Sequence, residues 1–386
     1  MTTRRPTDAD AECREISGPR PAKSAGAAGL TRRGALGLAG AGVVASLARP
    51  ALAQTTIEWK MATAWPADLP GQGASAQRIC DMIAELSGGR MRVRLFAAGA
   101  LVPAAEVFDA VASGTAQMGH ASPAFWQGRM PAAAFFATVP FGMLPGEHVT
   151  WIERGGGQEL WEALYAPFGV RPFLAGNSGC QLGGWYRRPV ERLEDLQGLK
   201  IRMPGLGGEV MRRLGATPVS LPPGELIPAL SSGLIDAAEF LGPASDRPLG
   251  LAAVAPYCYA PGFHEPNGAN EALVNAVAFD GLSSDLKAVV RAACRAETVL
   301  SLAESEWINA DALRALREED GASIRVYPQD IVQALRSTAR DVVSGLGADG
   351  DLARDIFKSY FRAMNRIAPW SDASRRLFLE GRGVYF

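Results

Sequence analysis

The chain has 386 residues, of which 48% are hydrophobic and 20% are charged, and its formal net charge is −1. These values are ordinary for a soluble globular protein and exclude a disordered, collagen-like or disulfide-dense chain. The length allows two or three domains.

The first 53 residues differ in composition from the rest. They carry eight Lys or Arg against four Asp or Glu, and Arg32–Arg33 precedes an apolar run at 34–48 that ends before a small-residue site at 51–53. This run is shorter than the ~20 residues that cross a bilayer. The pattern predicts a signal peptide of the twin-arginine type over 1–53, cleaved near Ala53–Gln54, and a mature protein in the periplasm.

Removal of this leader changes the charge balance. The mature chain keeps 31 basic and 36 acidic side chains, a net charge of about −5. A mildly acidic chain without a basic stripe binds nucleic acid poorly, so no nucleic-acid partner is expected. The four mature cysteines form no C-x-x-C pair, and we expect free thiols at these positions: Cys80, Cys180, Cys258 and Cys294.

The mature chain alternates between strand and helix patterns. In chain order, the predicted elements are strand 57–63, helix 70–87, strand 90–97, helix 103–113, strand 115–120, extended segments 170–177 and 181–188, strand 200–203, helix 209–215, helix 223–232, strand 234–241 and helix 285–318, followed by two or three helices over 328–381. The helix at 285–318 would be about 50 Å long at ~1.5 Å per residue. We expect it to run along two lobes as a spine.

One unit occurs twice. Residues 106–120 and 225–239 share Glu, Ala, Ser and Gly at a constant offset of 119 residues, and each copy is predicted as helix, Gly stop and strand. Such a repeat suggests two similar domains that face each other, with a binding site beyond the carboxyl ends of their strands. It predicts that His120 and Glu239 lie at equivalent strand ends and approach the cleft.

Arg202 closes the short strand at 200–203, which is followed by a Pro-Gly turn and a helix. A guanidinium at a strand end, beside the free N–H groups of a helix N-terminus, favours an anion at that position. Arg202 is therefore the first candidate for binding an acidic ligand.

Several separate blocks resemble one known family. They are WKMATAWP at 59–66, FWQGR at 125–129, VPFG at 139–142, QLGGWY at 181–186, the Arg202 turn, IDAAEFLG at 235–242 and GFHEP at 262–266. With these blocks the chain resembles, over roughly 56–345, the substrate-binding proteins of tripartite ATP-independent periplasmic (TRAP) transporters. The branch that it is most similar to takes 2-oxo acids and related monocarboxylates.

This resemblance implies a role for each site residue. Arg202 should hold the ligand carboxylate, and Gln181 should hydrogen-bond the ligand. Glu239, the main-chain carbonyl of Phe240 and Glu265 should bind a metal ion, usually sodium. No catalytic residue is expected.

Charge arithmetic agrees with a bound cation. Two carboxylates and a monoanionic ligand sum to −3, and Arg202 returns only one positive charge. Because buried unpaired charges are costly, either one Glu stays protonated or a cation binds. Oxygen ligands point to Na⁺ or Ca²⁺ and not to zinc.

Two positions depart from the family pattern. Phe240 stands where many relatives have Trp, and Phe125, before Trp126, stands where relatives often have Tyr. Phe125 and Trp126 are expected to line the ligand cleft. Both departures make that cleft more apolar, so we expect a ligand with a more apolar tail than pyruvate, such as a branched or longer 2-oxo acid.

The expected fold is α/β, of the two-lobed periplasmic solute-binding type, with a long spine helix and extra C-terminal helices. Lobe I is expected at 54–177 plus about 268–325, lobe II at 178–267, and the C-terminal helices at 326–386. One side of the amphipathic stretch at 351–367 carries Ile356, Tyr360, Phe361 and Met364. In the resembled branch this helix can exchange between subunits, which implies a homodimer.

The sequence thus predicts a non-catalytic periplasmic receptor that binds a small carboxylate and docks on TRAP membrane subunits. Three alternatives stay open at this point: a C4-dicarboxylate or lactate receptor of the same superfamily, a periplasmic enzyme that uses Glu239 or His264 as a base on an oxo acid, and a ligand-binding sensor that serves no transporter.

Overall fold

A computed structural model describes residues 56–67 and 69–383. The predicted signal peptide lies outside the described residues. The strands are β1 Ile57–Thr63, β2 Met91–Phe96, β3 Met118–Ala121, β4 Val170–Asn177, β5 Trp185–Tyr186, β6 Lys200–Arg202, β7 Thr217–Val219, β8 Ala237–Ala238, β9 Tyr257–Ala260, β10 Ala269–Asn275 and β11 Ser323–Val326.

Helices connect and cover these strands. They are α1 Gln72–Leu86, α2 Val107–Ala112, α3 Pro145–Arg154, α4 Gly157–Tyr165, α5 Gly205–Arg213, α6 Leu226–Ser232, α7 Pro243–Asp246, α8 Leu251–Val254, α9 Ala276–Asp280, α10 Ser284–Glu318, α11 Gln329–Leu346, α12 Gly350–Ser371 and α13 Leu377–Arg382. Over the part of the chain that the structure describes, no helix is both long and apolar enough to cross a membrane.

The first sheet has the strand order β2-β1-β3-β10-β4. β1 is parallel to β2 and β3, whereas β10 is antiparallel to β3 and β4. Apolar clusters cover both faces, one with α1 and α10, the other with an aromatic-rich layer that includes Phe136, Trp151 and Trp161. The sequence patterns did not predict β10, because a strand buried on both faces shows no polar–apolar alternation.

The second sheet has the order β11-β9-β5-β8-β6-β7. β6 is parallel to β7 and β8, and β5 is antiparallel to β8 and β9. The extended segments predicted at 181–188 and 234–241 shorten to two residues each, with Gln181 before β5 and Glu239 directly after β8. β11 pairs in parallel with β9.

The long helix α10 passes both cores, as predicted. Near its start Leu286 and Val290 pack in the core of the first sheet, and near its end Leu316 packs in the core of the second. Glu297, fully buried, fastens α10 to α1: it accepts hydrogen bonds from Ser75 Oγ at 2.6 Å and Arg78 Nη2 at 2.7 Å.

The first half of α12 packs on its own chain. Ile356 and Tyr360 are buried in the aromatic layer of the first sheet, and Tyr360 Oη accepts from the main-chain N–H of Met143 at 2.7 Å. Two of the four side chains on the amphipathic side, Ile356 and Tyr360, thus pack within the chain itself. The helix continues through a π-helical turn at Asp372–Arg376 into α13. Trp370 near the end of α12 is exposed, and so are Leu377, Phe378 and Leu379 of α13.

The repeated unit does have one local structure in both copies. A left-handed glycine follows each helix, Gly114 at φ 79° shortly after α2 and Gly233 at φ 76° directly after α6, and a strand, β3 or β8, comes next. β3 pairs in parallel with β1, and β8 pairs in parallel with β6, so the unit occupies comparable places in the two sheets.

Candidate functional site

Arg202 and Glu239 emerge from the same edge of the second sheet. Their strands β6 and β8 are parallel neighbours, with Arg202 opposite Ala238, so both side chains leave where the strands end. The Arg202 side chain is only 13% exposed. Its Nη1 donates to the Glu239 main-chain oxygen at 2.6 Å and lies 3.2 Å from Glu239 Oε2.

Three further polar side chains extend this cluster. His264 Nε2 lies 3.2 Å from Gln181 Oε1 and 3.4 Å from Glu239 Oε1, and Gln181 Nε2 donates to Glu265 Oε2. Arg202, Glu239, His264, Gln181 and Glu265 therefore form one continuous chain of polar contacts, which is called the polar cluster below.

Two glycines allow the backbone segments around the polar cluster to approach closely. A Cβ at Gly207, in the first turn of α5, would lie 2.6 Å from His264 Cβ, and a Cβ at Gly262 would overlap the main-chain carbonyl of Gln181. A side chain at Gly207 would push α5 away from His264, and a side chain at Gly262 would push the 262–266 segment away from Gln181. The glycines in these two blocks are thus required by packing.

Burial and like charge shift proton affinities in this region. Burial, and then the neighbouring Glu239 carboxylate, raise the pKa of Glu265 to about 7. For His264 burial lowers the pKa, but the Glu239 carboxylate outweighs it and the pKa is raised. Burial also raises the pKa of nearby Asp246 to about 7. Carboxylates thus crowd a region where Arg202 is the fixed positive charge, and a cation would relieve their repulsion.

The donor set fits a hard cation. No hydrogen bond from any described residue reaches the main-chain oxygen of Phe240, which leaves it able to accept a cation. Oxygen donors of this kind suit Na⁺ or Ca²⁺. Across 56–67 and 69–383, no group of three or more His, Cys, Asp or Glu side chains forms a metal site. The Glu239, Phe240 and Glu265 set is compatible with that finding, because one of its members is a carbonyl.

Phe125 and Trp126 lie on the first-sheet side. Phe125 is 50% exposed and packs on Trp65, with ring centroids 5.4 Å apart. Trp126 is buried, and its indole N–H donates to Glu271 Oε1 at 2.5 Å. The next residue, Gln127, approaches Gly205 at the start of α5, which brings this segment beside the Arg202 turn.

A small cavity of about 40 Å³ adjoins the polar cluster on the side of α10. It lies between the two sheets and α10, and Gln181 belongs both to its lining and to the polar cluster. Polar residues dominate the lining, among them Gln72, Asn177, Ser245, Ser305 and Asn309. The volume is enough for a few water molecules.

His120 does not reach the cleft as predicted. It is fully buried in β3, where Nδ1 accepts from the Trp65 indole N–H at 2.9 Å and Nε2 lies 2.8 Å from the main-chain oxygen of Ala175. Burial lowers its pKa to about 4, so this imidazole is neutral and structural. Trp185 of β5 is also fully buried.

Sequence reasoning missed two buried carboxyl groups. Asp246, at the end of α7, accepts from the Trp185 indole and from the main-chain N–H of Leu241. Glu271, on β10, accepts from Trp126 and Tyr165, and its Oε2 is buried without a partner. The only sequence signal for Glu271 was a lone carboxyl inside an apolar run.

Comparison with known proteins gives a consistent result. Residues 61–346 match the profile of bacterial extracellular solute-binding protein, family 7. The monocarboxylate 2-oxoacid-binding periplasmic protein of Nostoc sp. is 36% identical over 315 residues, which are 82% of this chain and 86% of that protein.

Two solved structures are also similar to the chain. A TRAP periplasmic solute binding protein from Pseudoalteromonas atlantica with bound sodium and pyruvate is 34% identical, with a TM-score of 0.78 over 84% of this chain and 99% of that chain. A TRAP transporter solute binding protein from Bordetella bronchiseptica, a mixed occupancy dimer with copurified calcium and picolinate, is 33% identical, with a TM-score of 0.78 over 84% and 96%. The predicted resemblance and fold are confirmed, and the chain belongs to bacterial extracellular solute-binding protein, family 7.

Proposed function

We propose that the chain is the periplasmic receptor of a TRAP transporter and that it binds a 2-oxo acid or related monocarboxylate without catalysis. The observation that carries the proposal is the buried Arg202 guanidinium, held against Glu239 inside the polar cluster. A guanidinium binds a carboxylate with two parallel hydrogen bonds, and partial burial strengthens them. The sodium and pyruvate of the Pseudoalteromonas relative support the same chemistry here.

The contacts of Arg202 imply that ligand and cation assist each other. Arg202 Nη1 now bonds to Glu239, so a ligand carboxylate competes with Glu239 for this guanidinium. Once Arg202 turns to the ligand, the buried Glu239 lacks part of its counter-charge. A cation held by Glu239, the Phe240 carbonyl and Glu265 supplies the missing positive charge. Gln181 and His264 would keep the two carboxylates in place.

Affinity for the ligand is therefore expected to depend on the cation. Titration of pyruvate and 2-oxoisocaproate by calorimetry should show at least tenfold weaker binding in buffer free of Na⁺ and Ca²⁺ than with either ion, since coupling between sites is typically about 1–3 kcal/mol. The apolar Phe125 and Phe240 favour 2-oxoisocaproate as the tighter ligand. Equal affinities with and without the ions would contradict the shared site.

The same titration separates the alternatives. Succinate or lactate as the tightest ligand would assign the chain to another substrate class of the superfamily. Incubation of the bound oxo acid with the protein, followed by chromatography, should recover it unchanged, whereas a product would indicate an enzyme. Mass spectrometry of freshly exported protein should detect a small monocarboxylate released from it. The intact mass should correspond to a chain that begins near Gln54, as the twin-arginine leader predicts.

We also propose a homodimer through the C-terminal end of the chain. Trp370 is 69% exposed and Phe378 62% exposed on the segment beyond the packed half of α12. Contiguous exposed apolar side chains of this kind mark interaction surfaces. Light scattering at micromolar concentration should give a dimer mass for residues 54–386 and a monomer mass for a chain ending at Ala368. A monomeric mass for the longer chain would refute the dimer.

A further inference from the structure

Asp246 is a buried carboxyl group that the receptor chemistry described above leaves unused. Its residue is 2% exposed, and each carboxyl oxygen accepts one N–H. Trp185 Nε1 donates to Oδ2 at 2.8 Å, and the main-chain N–H of Leu241 donates to Oδ1 at 3.1 Å. Each oxygen of the carboxyl group thus holds one N–H in place.

The Leu241 N–H belongs to the same peptide group as the Phe240 carbonyl. This peptide is trans, so its N–H and C=O point in opposite directions. By holding the N–H, Asp246 fixes the plane of the peptide and directs the Phe240 oxygen away from itself. That oxygen accepts no other hydrogen bond from the described chain, so its direction depends on the N–H side.

The carboxyl group also changes the charge of the carbonyl oxygen. A carboxyl oxygen that accepts the N–H polarises the peptide and increases the partial negative charge on the Phe240 oxygen, because consecutive hydrogen-bonded groups strengthen one another in a low-dielectric interior. An oxygen that is both oriented and more negative is a better cation ligand. Partners of metal ligands act in this way in many metal sites.

We infer that Asp246 is a positioning residue of the cation site: it holds the Phe240–Leu241 peptide so that the Phe240 carbonyl is aimed and polarised for Na⁺ or Ca²⁺. The inference rests on the proposed function, in which that carbonyl is a cation ligand. Asp246 itself contacts neither the cation nor the organic ligand. A group that only stabilised the fold would change the unfolding temperature and leave cation affinity unchanged.

The test is calorimetric titration of Ca²⁺ into the chain in sodium-free buffer, without any organic ligand. Asp246→Asn keeps the volume of the side chain and removes its charge. We expect this variant to bind Ca²⁺ about 10–100-fold more weakly than the native chain, as is typical when a partner of a metal ligand is changed. Native affinity, within threefold, in a folded Asp246→Asn variant would overturn the inference.

Glu297→Gln is the matched control. Glu297 is also a buried carboxylate, but it binds Arg78 and Ser75 between α10 and α1, outside the polar cluster. Its replacement should alter the unfolding temperature and leave the Ca²⁺ dissociation constant unchanged. An equal loss of Ca²⁺ affinity in both variants would reduce the effect of Asp246 to general destabilisation and would also overturn the inference.

A second measurement uses the native chain and does not depend on the folding of a variant. Labelling with carbonyl-¹³C phenylalanine and ¹⁵N leucine gives signals only from Phe–Leu peptides, which are Phe173–Leu174, Phe240–Leu241 and Phe378–Leu379. Added Ca²⁺ should shift the Phe240 carbonyl and also move the Leu241 amide proton downfield, because its hydrogen bond to Asp246 strengthens. A shifted carbonyl with an unmoved Leu241 proton would contradict the coupling.

The outcomes separate the inference from the proposed function. If the native chain binds no Ca²⁺ or Na⁺ and the Phe240 carbonyl signal stays in place, the cation site of the proposed function fails, and the inference fails with it. If the native chain binds Ca²⁺ through Phe240 and Asp246→Asn binds it equally well, only the inference fails.

Discussion

Replacement of Arg202 by methionine is expected to abolish micromolar binding of 2-oxo acids. The guanidinium is largely buried, and truncation of one partner of a buried, hydrogen-bonded charge pair costs about 2–5 kcal/mol, roughly 30-fold to several thousandfold in affinity. The affinity of Arg202→Lys should lie between those of the native chain and Arg202→Met, because an ammonium keeps the charge without the two parallel hydrogen bonds of a guanidinium. Calorimetric titration with pyruvate and 2-oxoisocaproate at saturating Na⁺ measures both.

Two controls separate binding from stability in this experiment. Arg188→Met changes an exposed arginine two residues after β5 of the same sheet and should leave the affinity as it is. Arg202→Met also deprives the buried Glu239 of a partner, so the double variant with Glu239→Gln should recover thermal stability and still fail to bind at micromolar concentration. Micromolar binding by folded Arg202→Met would remove the central assignment of the proposal.

Replacement of Glu271 by glutamine is expected to stabilise the protein at alkaline pH. Burial raises the pKa of Glu271 to about 8, and an unfolded Glu titrates near ~4.3. Between these values the folded chain retains a proton that the unfolded chain has lost. Stability from this group is therefore complete below about pH 4 and is lost as the pH rises through 8. Glutamine stays neutral over the whole range, so the variant loses no stability from this position as the pH rises.

The size of this effect follows from the linkage. At about 1.4 kcal/mol per pH unit, the native chain should lose roughly 3–5 kcal/mol relative to Glu271→Gln between pH 5 and pH 9. Urea unfolding of both chains at these two pH values measures the difference. The subtraction cancels Glu265 and Asp246, which titrate in the same window. Parallel pH profiles for the two chains would show that Glu271 is ionised in the folded state.

The sequence predicted the features that depend on local pattern. The strand at 57–63, the long helix at 285–318 and the helix–glycine–strand repeat follow from periodicity and from glycine at a left-handed position, and all of them appear in the structure. The blocks that carried the family resemblance also hold Arg202, Gln181, Glu239 and Glu265, which the fold brings into one polar cluster. Their roles as ligands of a carboxylate and a cation remain predictions.

What the sequence could not predict depends on contacts between distant segments. His120 matches Glu239 in the repeat, yet Trp65 and Ala175, from other elements, complete its hydrogen bonds and bury it. Asp246 accepts a hydrogen bond from Trp185, 61 residues away in the chain, and Glu271 accepts one from Trp126, 145 residues away. No spacing rule predicts such pairs, because the two residues meet only after both sheets are formed.

The hydrogen-bonded chain from Trp65 through His120 to Ala175 also places an acid limit on the protein. His120, and likewise buried His148, have a pKa of about 4 in the folded chain, whereas an unfolded histidine takes up its proton near ~6.5. Lowering the pH from 6.5 towards 4 therefore lowers the free energy of unfolding, because the unfolded chain binds protons at these two imidazoles and the folded chain does not. Both histidines belong to the first sheet or to the layers that cover it, so acid destabilises that part of the receptor whatever is bound at Arg202.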